Sequence, residues 1–310
     1  MNNLIESANS YLDYCRRVRR LNGKTLKAYR CDLLQFVEWL QKNEMAFDDQ
    51  AILGYIAFMS DKYSPRSAKR KIASIRAFSS YLHLKDRSKD PFNLVEIRMK
   101  EPKRLPRTIP LDDLALIVGG ECQAGEGLRG YIRMRNKMIV ELLIATGIRV
   151  SELCSLDECD FDARSRSLLV MGKGSKERII QIESSSTLSA FSSYIAALHV
   201  FLSEVDVISE RERPLFVNRF GVRLSEQSAR NAVNSLALEA GVSSHVTPHM
   251  FRHTFATMLL EDEVDIRYIQ TLLGHSSLKT TEIYTHVSSN KLREIMRCKN
   301  PRDALDRWGC

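Results

Sequence analysis

The sequence predicts a mainly α-helical protein of two domains, with a single small antiparallel sheet in the second domain. Three observations support this: apolar residues recur at helical spacing through most of the chain, one β-branched segment has a turn at its centre, and a proline-rich basic stretch lies near residue 100. A chain of 310 residues, 44% of them hydrophobic, is long enough for two packed domains. We expect a helical domain at residues 1–98, a linker at 99–109 and a second domain at 110–310.

The first domain contains four helical stretches, two of which have clear boundaries. The stretch "TLKAYRCDLLQFVEWLQ" has apolar residues at helical spacing, and Thr25 is the expected N-cap. The stretch "SPRSAKRKIASIRAFSSYLHL" opens with the start signal Ser64-Pro65. One face of this second helix is apolar, and other positions carry the basic residues Arg66, Lys69, Arg70, Lys71 and Arg76.

The charge of the chain is unevenly distributed and indicates a nucleic-acid partner. The net charge is +8, yet residues 1–107 hold 22 basic and 12 acidic side chains, whereas residues 108–310 hold 24 and 26. A basic helix face is often only solvated, but here it coincides with this charge excess, so we predict that its five basic residues contact DNA.

A membrane partner is not indicated by the sequence. No secretory apolar region follows Met1, and the most apolar run, "MIVELLIA", is short and contains Glu141. The seven cysteines are odd in number and show no CxxC pairing, which argues against a disulfide framework or a zinc ribbon. We expect a cytoplasmic protein with reduced thiols and no bound metal.

The second domain begins with a helix at Leu111–Val118 and a glycine-rich stretch, 119–130, that is expected to be a loop. Two helices follow, separated at Gly147. The segment "SRSLLVMGKGSKERIIQI" has β-branched and apolar runs on either side of a turn, which predicts a β-hairpin. Helical patterns then continue to about Arg297.

The stretch "TPHMFRHTFATML" places cations on a helix that otherwise resembles a core helix. Thr247 and Pro248 are the expected N-cap and first helical residue, so His249 and Arg252 share one face near the helix start, where an anion is favoured. A solvated face is one interpretation. A metal site is a weaker one, because Met250 replaces the glutamate of the zincin motif. The third interpretation is a phosphate site.

Four further residues carry chemistry at positions suited to a cleft. They are Arg149 in "ATGIRVSELCSL", Lys173 in the "GKG" turn, His275 in "LLGHSS" and Tyr284 in "TTEIYTHV". Taken singly, each has a structural explanation as a surface ion pair, a solvated turn, a capping or core histidine, or a packed aromatic. The turn lacks the glycine spacing of a Walker motif, so ATP use is not indicated.

Together, five boxes resemble the signature of the tyrosine recombinases, the phage-integrase and Xer group, in the family's order. The boxes are "ATGIRVSEL", "GKGSKER", "HMFRHTFAT", "LLGHSS" and "IYTHV", and the basic N-terminal helix resembles that of the Xer core-binding domain. The resemblance implies a SAM-like helical core-binding domain followed by an α+β catalytic domain. It also implies the catalytic residues Arg149, Lys173, His249, Arg252, His275 and Tyr284, with Tyr284 as the nucleophile.

The family resemblance further implies a site-specific recombinase that acts through a 3′-phosphotyrosyl intermediate and a Holliday junction without a cofactor. Its partners would be double-stranded DNA with paired inverted repeats and other protomers in a homotetramer or heterotetramer. The tail "VSSNKLREIM" would pack on a neighbouring protomer. Lys176 is the nearest rival to Lys173, while His253 and His286 are expected to be structural.

Three other interpretations remain open at this point. A type IB topoisomerase resembles the same catalytic set, although the separate basic domain and the H-x-x-R motif favour a recombinase. A DNA-binding regulator with vestigial catalytic residues is a second alternative. A purely structural helical protein is the third.

Overall fold

The computed structural model describes residues 2–86, 90–92, 107–120, 127–172, 177–205, 213–274 and 289–308. The chain divides into two compact units, Met1–Arg104 and Leu105–Cys310. Most of the expected linker, residues 99–106, and the centre of the expected glycine-rich loop, residues 121–126, lie outside the described residues.

The first unit is built from four described helices packed around aromatic side chains. These helices are α1 (Asn2–Arg17), α2 (Gly23–Lys42), α3 (Asp49–Lys62) and α4 (Pro65–Asp86). Tyr11, Phe36, Tyr55 and Phe78 are fully buried at their centre. The apolar spacing read from the sequence therefore corresponds to the core face of these helices.

The predicted starts of α2 and α4 had different outcomes. α4 begins at Pro65 as expected. The expectation that Thr25 caps α2 is wrong, because the side chain of Asn22 accepts the backbone N–H of Thr25 at 2.8 Å. The asparagine therefore satisfies one of the unpaired N–H groups at the helix start, and the helix begins at Gly23.

The second unit combines helices with a three-stranded antiparallel sheet in the order β1-β2-β3. Its elements are α5 (Leu111–Gly119), α6 (Gly127–Thr146), α7 (Val150–Ser155), β1 (Phe161–Asp162), β2 (Ser167–Met171), β3 (Glu177–Gln181), α8 (Ser185–Glu204), α9 (Glu226–Glu239), α10 (Pro248–Glu261), α11 (Ile266–Leu273), α12 (Ser289–Cys298) and α13 (Pro301–Trp308). The predicted hairpin is β2–β3, with Leu169 opposite Ile179. The mainly α class with one small sheet is thus confirmed.

Helix α6 lies at the centre of this unit, since every residue from Met138 to Thr146 is buried. Among the described helices, α8 has the length and apolar composition that a membrane span requires. Five of its side chains instead lie in the core of the unit: Phe191, Tyr194, Leu198, Phe201 and Leu202. α8 is therefore accounted for as a core helix.

The C-terminal helices pack on their own unit. Ile295 and Met296 of α12 are buried in one cluster with Phe255 and Leu273, and packing of the tail on a neighbouring protomer stays a prediction. Helix α13 follows, beyond the point near Arg297 where we expected helical structure to end. An eight-residue helix shows too few apolar repeats to be recognised from spacing alone.

Candidate active site

Arg149 lies in the short connection between α6 and α7, where the chain turns at Gly147. Gly147 has a φ of +61°, in the left-handed region that favours glycine, and α6 ends just before it. Arg149 then occupies the N-cap of α7, and its backbone N–H donates to Glu152 Oε2 at 3.0 Å. Its guanidinium donates to Glu152 Oε1 at 2.7 Å and to the carbonyl of Gly274 at 3.0 Å. The side chain is thus held from two directions while remaining 35% exposed.

Arg252 projects from the second turn of α10 into the interior of the unit. It is 6% exposed, and its two terminal nitrogens donate to the carbonyls of Gly147 and Leu273, both at 2.7 Å. Both acceptors are neutral, so neither bond cancels the positive charge. The interpretation of α10 as having a solvated polar face is therefore wrong for Arg252, although His249 on the same helix is exposed.

The two guanidinium groups converge on one pair of loops. The connection after α6 supplies Arg149 and the carbonyl that binds Arg252, while the C-terminal end of α11 supplies the acceptors at Leu273 and Gly274. Burial, together with the positive charge of Arg149, lowers the pKa of Arg252 to about 10. Arg252 stays protonated near neutral pH, so the loops hold two cations close together. Such an arrangement favours a bound anion.

Glu152 and Arg178 complete this cluster, and the sequence analysis assigned neither of them. Arg178, near the start of β3, donates to both carboxylate oxygens of Glu152 at 3.0 and 2.8 Å. Burial by itself raises the pKa of Glu152, but the hydrogen bonds from Arg178 and from the Arg149 backbone outweigh it and lower the pKa to about 2. The available signals were the acid three residues after Arg149 and the arginine that ends "GKGSKER".

The remaining expected catalytic residues, Lys173, His275 and Tyr284, lie outside the described residues, as do Lys176 and His286. In the sequence, Lys173 falls between β2 and β3. His275 directly follows the glycine whose carbonyl accepts Arg149. His253, expected to be structural, is partly buried on α10.

Both units of the chain are similar to known protein families. A family model described as the phage integrase family matches residues 125–291, which is more than half of the chain. The chain belongs to the phage integrase family. A second model, described as the phage integrase N-terminal SAM-like domain, matches residues 8–85 of this recombinase.

Similar proteins agree with this membership over nearly the full length. A tyrosine recombinase of Agathobacter rectalis is 44% identical over 97% of this chain and 98% of its own length. Tyrosine recombinase XerD of Listeria monocytogenes is 35% identical over 97% of this chain and all of its own length. The solved structure of XerH site-specific recombinase, bound to its difH substrate before cleavage, has the same fold with a TM-score of 0.66, 23% identity, and 90% and 82% of the two chains covered. The protein is thus a site-specific tyrosine recombinase, and the topoisomerase and regulator alternatives gain no support.

The five basic residues of α4 differ in their surroundings in this recombinase. Arg66, Lys69 and Arg76 are exposed. Arg70 is half exposed and Lys71 only 13% exposed, and both form ion pairs with the buried carboxylate of Asp32 at 2.5 and 3.0 Å. DNA contact by all five residues stays a prediction, and the structure shows that two of them also neutralise an internal acid.

Proposed function

We propose that Arg149, Lys173, His249, Arg252, His275 and Tyr284 form the catalytic set of this recombinase. The observation that supports the proposal is the convergence of Arg149 and Arg252 on the loops around Gly147 and Gly274. Two guanidinium groups at one place can hold the non-bridging oxygens of a phosphodiester through paired hydrogen bonds. Charge grows on those oxygens as the pentacoordinate state forms, so donors positioned in advance lower the barrier.

The other members of the set supply the nucleophile and the proton transfers. An unperturbed tyrosine has a pKa of about 10, so Tyr284 needs a base or a cationic surrounding to attack phosphorus near neutral pH. His249 is the proposed base, and Lys173 is the proposed general acid for the leaving 5′ oxygen. His275 would donate a hydrogen bond to a non-bridging oxygen.

The chemistry of the covalent intermediate explains why no nucleotide cofactor is needed. The 3′-phosphotyrosyl ester conserves the energy of the broken phosphodiester bond, so a 5′-hydroxyl from a second DNA can attack it and release the tyrosine. Exchange of one strand pair between two sites gives a Holliday junction. Exchange of the other pair then completes recombination.

The two units would divide binding and cleavage between them. We assign DNA gripping to residues 1–98, a connecting role to 99–109 and strand cleavage to 110–310, a division supported by the two compact units and by the charge excess in the first third. By resemblance to the family, the active assembly would be a tetramer on paired inverted repeats. The proposed place of action is the cytoplasm, where chromosomal or mobile DNA is accessible.

Capture of covalent DNA tests the assignment of the nucleophile. Wild-type protein, Tyr284→Phe and the control Tyr268→Phe would each be incubated with nicked genomic fragments of the source organism, and the covalently attached DNA sequenced. We expect a short inverted repeat with wild type and with Tyr268→Phe, and binding without an adduct for Tyr284→Phe. An adduct that persists in Tyr284→Phe would place the nucleophile elsewhere. Scattered sequences would indicate a topoisomerase, and the absence of any adduct would indicate a regulator.

A further inference from the structure

Arg178 is a second arginine bound to the carboxylate that holds Arg149. Its NH1 and NH2 donate to Glu152 Oε1 and Oε2 at 3.0 and 2.8 Å. The same two oxygens accept the guanidinium and the backbone N–H of Arg149 at 2.7 and 3.0 Å. Each oxygen of Glu152 thus accepts one hydrogen bond from Arg149 and one from Arg178, and the side chain of Glu152 is only 5% exposed. Arg149 and Arg178 are therefore positioned by one shared group.

The charges of the cluster depend on Arg178. A single Arg149–Glu152 pair would be neutral overall, so the acid would cancel the arginine that is proposed to bind phosphate. With Arg178 included, the three groups carry one net positive charge, and Arg252 adds a second. A phosphodiester has one negative charge and attack by a phenolate adds another, so the cluster matches the charge of the pentacoordinate state.

Arg178 also lies close to Gly274, whose carbonyl is the second hydrogen-bond acceptor of the Arg149 side chain. A Cβ built on Gly274 would lie 3.1 Å from both Cδ and NH1 of Arg178, so this side chain packs closely on the Gly274 backbone, whose carbonyl accepts Arg149. Gly274 has a φ of +63° and caps α11. A side chain at this position would therefore meet both backbone strain and the Arg178 guanidinium.

The Nε–H of Arg178 is a buried donor with no hydrogen-bond partner in the described part of the chain. Buried hydrogen-bond donors nearly always have an acceptor, so a buried donor without one, in a cluster with Arg149 and Arg252, needs an explanation. Its side chain is 16% exposed, which leaves the donor shielded from bulk water. The arrangement fits a guanidinium that is held in place for an anionic site rather than for stability alone.

We propose that Arg178 is a positioning residue for DNA strand cleavage, acting through Glu152 and Gly274 to hold Arg149 in its working orientation and to keep the cluster positively charged. The inference rests on the proposed role of Arg149 at the scissile phosphate. It assigns the arginine of "GKGSKER" to the reaction. Arg178 links the hairpin on which Lys173 lies in sequence to the loop that carries Arg149.

Single-turnover cleavage separates positioning from folding. A nicked suicide substrate built from the captured site would be cleaved by saturating protein, because the amplitude then counts active molecules and the rate constant reports the chemical step. The variants are Arg178→Met and Arg178→Lys, and Arg164→Met, an exposed arginine in the turn between β1 and β2, is the matched control. The dissociation constant for the same DNA is measured in parallel.

We expect Arg178→Met to lower the rate constant by about 10²-fold or more, with the amplitude kept and the dissociation constant within about threefold of wild type. The rate constant of Arg178→Lys should lie between those of Arg178→Met and wild type, because lysine restores the positive charge but not the paired hydrogen bonds to Glu152. Arg164→Met should match wild type. A wild-type rate constant in Arg178→Met, or a loss confined to the amplitude, would overturn the proposal.

A double variant covers the case in which Arg178→Met folds poorly because Glu152 loses a buried partner. Glu152→Gln combined with Arg178→Met removes the charge and its partner together, and it should regain amplitude while the rate constant stays low. Recovery of the wild-type rate constant in the double variant would overturn the proposal. Failure of wild type to form a Tyr284-dependent adduct would instead contradict the proposed catalytic set, so the two failures are distinguishable.

Discussion

At the scale of single residues, the site depends on an acid that is charged although it is buried. Glu152 is 5% exposed, yet its pKa is lowered to about 2 because Arg178 and Arg149 donate to it. Removing either donor would leave a buried carboxylate with fewer partners, which is costly. The same hydrogen bonds that orient Arg149 therefore stabilise the fold around it.

This low pKa predicts an acid-sensitive contribution to stability. The folded-state pKa lies below the ordinary value of 4.5, so the contribution is complete above that pH and is lost as the pH falls toward 2. Relative to Glu152→Gln, wild type should lose about 2 kcal/mol of unfolding free energy by about pH 3. Calorimetric unfolding of both proteins from about pH 6 to about pH 3 measures the difference. Parallel curves would contradict the assigned pKa.

Gly147 is a position where a side chain would meet both backbone strain and close contacts. Its φ is +61°, and a Cβ would lie 2.6 Å from Cδ1 of Phe255 and 2.8 Å from Cδ2 of Leu273. We predict that Gly147→Ala lowers the unfolding free energy by about 2–5 kcal/mol, the sum of backbone strain and overpacking. Gly241→Ala is the control, because Gly241 has a φ of +84° with no atom within 4 Å of its Cβ position.

The control should lose only the backbone contribution of about 1–2 kcal/mol. Denaturant unfolding of both variants gives the comparison. Equal losses in the two variants would show that the packing around Gly147 adjusts to the methyl group, contrary to the prediction.

At the scale of elements, α4 shows that a basic helix face is not one uniform surface. Asp32 on α2 is 1% exposed and accepts hydrogen bonds from Arg70, Lys71 and Ser74 of α4. These bonds hold the pKa of the Asp32 carboxyl below its ordinary value, even though burial acts in the opposite direction. Part of the charge that the sequence assigned to DNA therefore joins two helices.

This division predicts different effects for two neighbouring lysines. Lys71→Met should destabilise the first unit by about 1–3 kcal/mol, because Asp32 and Gln35 lose a donor, and should lower the slope of log affinity against log salt less than Lys69→Ala does. Lys69→Ala should lower the slope of log affinity against log salt by about 0.9, as for one lost phosphate contact. Binding titrations at several salt concentrations measure the salt dependence of each variant, and thermal unfolding measures its stability. The reverse pattern would make Lys71 the stronger DNA contact of the two lysines.

A buried ion pair joins helix α13 to α6, the central helix of its unit. Arg302 donates to both oxygens of Glu141 on α6 at 2.6 and 3.1 Å, and Asn300 donates to the carbonyl of Ala145 at 3.3 Å. The two charged side chains are 9% and 2% exposed. The end of the chain thus packs beneath the helix that leads to Arg149.

We predict that Arg302→Ala lowers the unfolding free energy by about 3–5 kcal/mol, because Glu141 stays buried without its partner. Asp306→Asn, which alters the 45% exposed partner of the same arginine, should cost at most about 1 kcal/mol. Chemical denaturation of both variants measures these losses. A small loss in Arg302→Ala would mean that α13 separates from α6 at little cost.

At the scale of the whole molecule, two units of different charge share one chain. The basic excess belongs to residues 1–107, and the remainder is slightly acidic even though it holds the arginine cluster. Net charge therefore favours the first unit as the one that attracts DNA over a long range, whereas the proposed cleavage site depends on a few cations fixed in a nearly neutral unit. Composition could indicate the long-range attraction of DNA, but it could not indicate which cations are fixed at the proposed cleavage site.

The sequence by itself determined the fold class and the family. Apolar spacing predicted the helices, because each helix must bury one face, and the β-branched runs around a turn predicted the β2–β3 hairpin. The order of the boxes predicted the family. These signals are local, since they need only neighbours within a few turns or strands.

The tertiary structure alone decided how the functional residues are held. Arg149 binds a carbonyl 125 residues away and Arg252 one that is 105 residues away, and no local spacing specifies those partners. The pairing of Arg178 with Glu152 and the burial of Lys71 likewise depend on how elements pack. Hydrogen bonds between distant segments form only when the core brings those segments together, so packing determined which charged residues bind each other and which remain exposed.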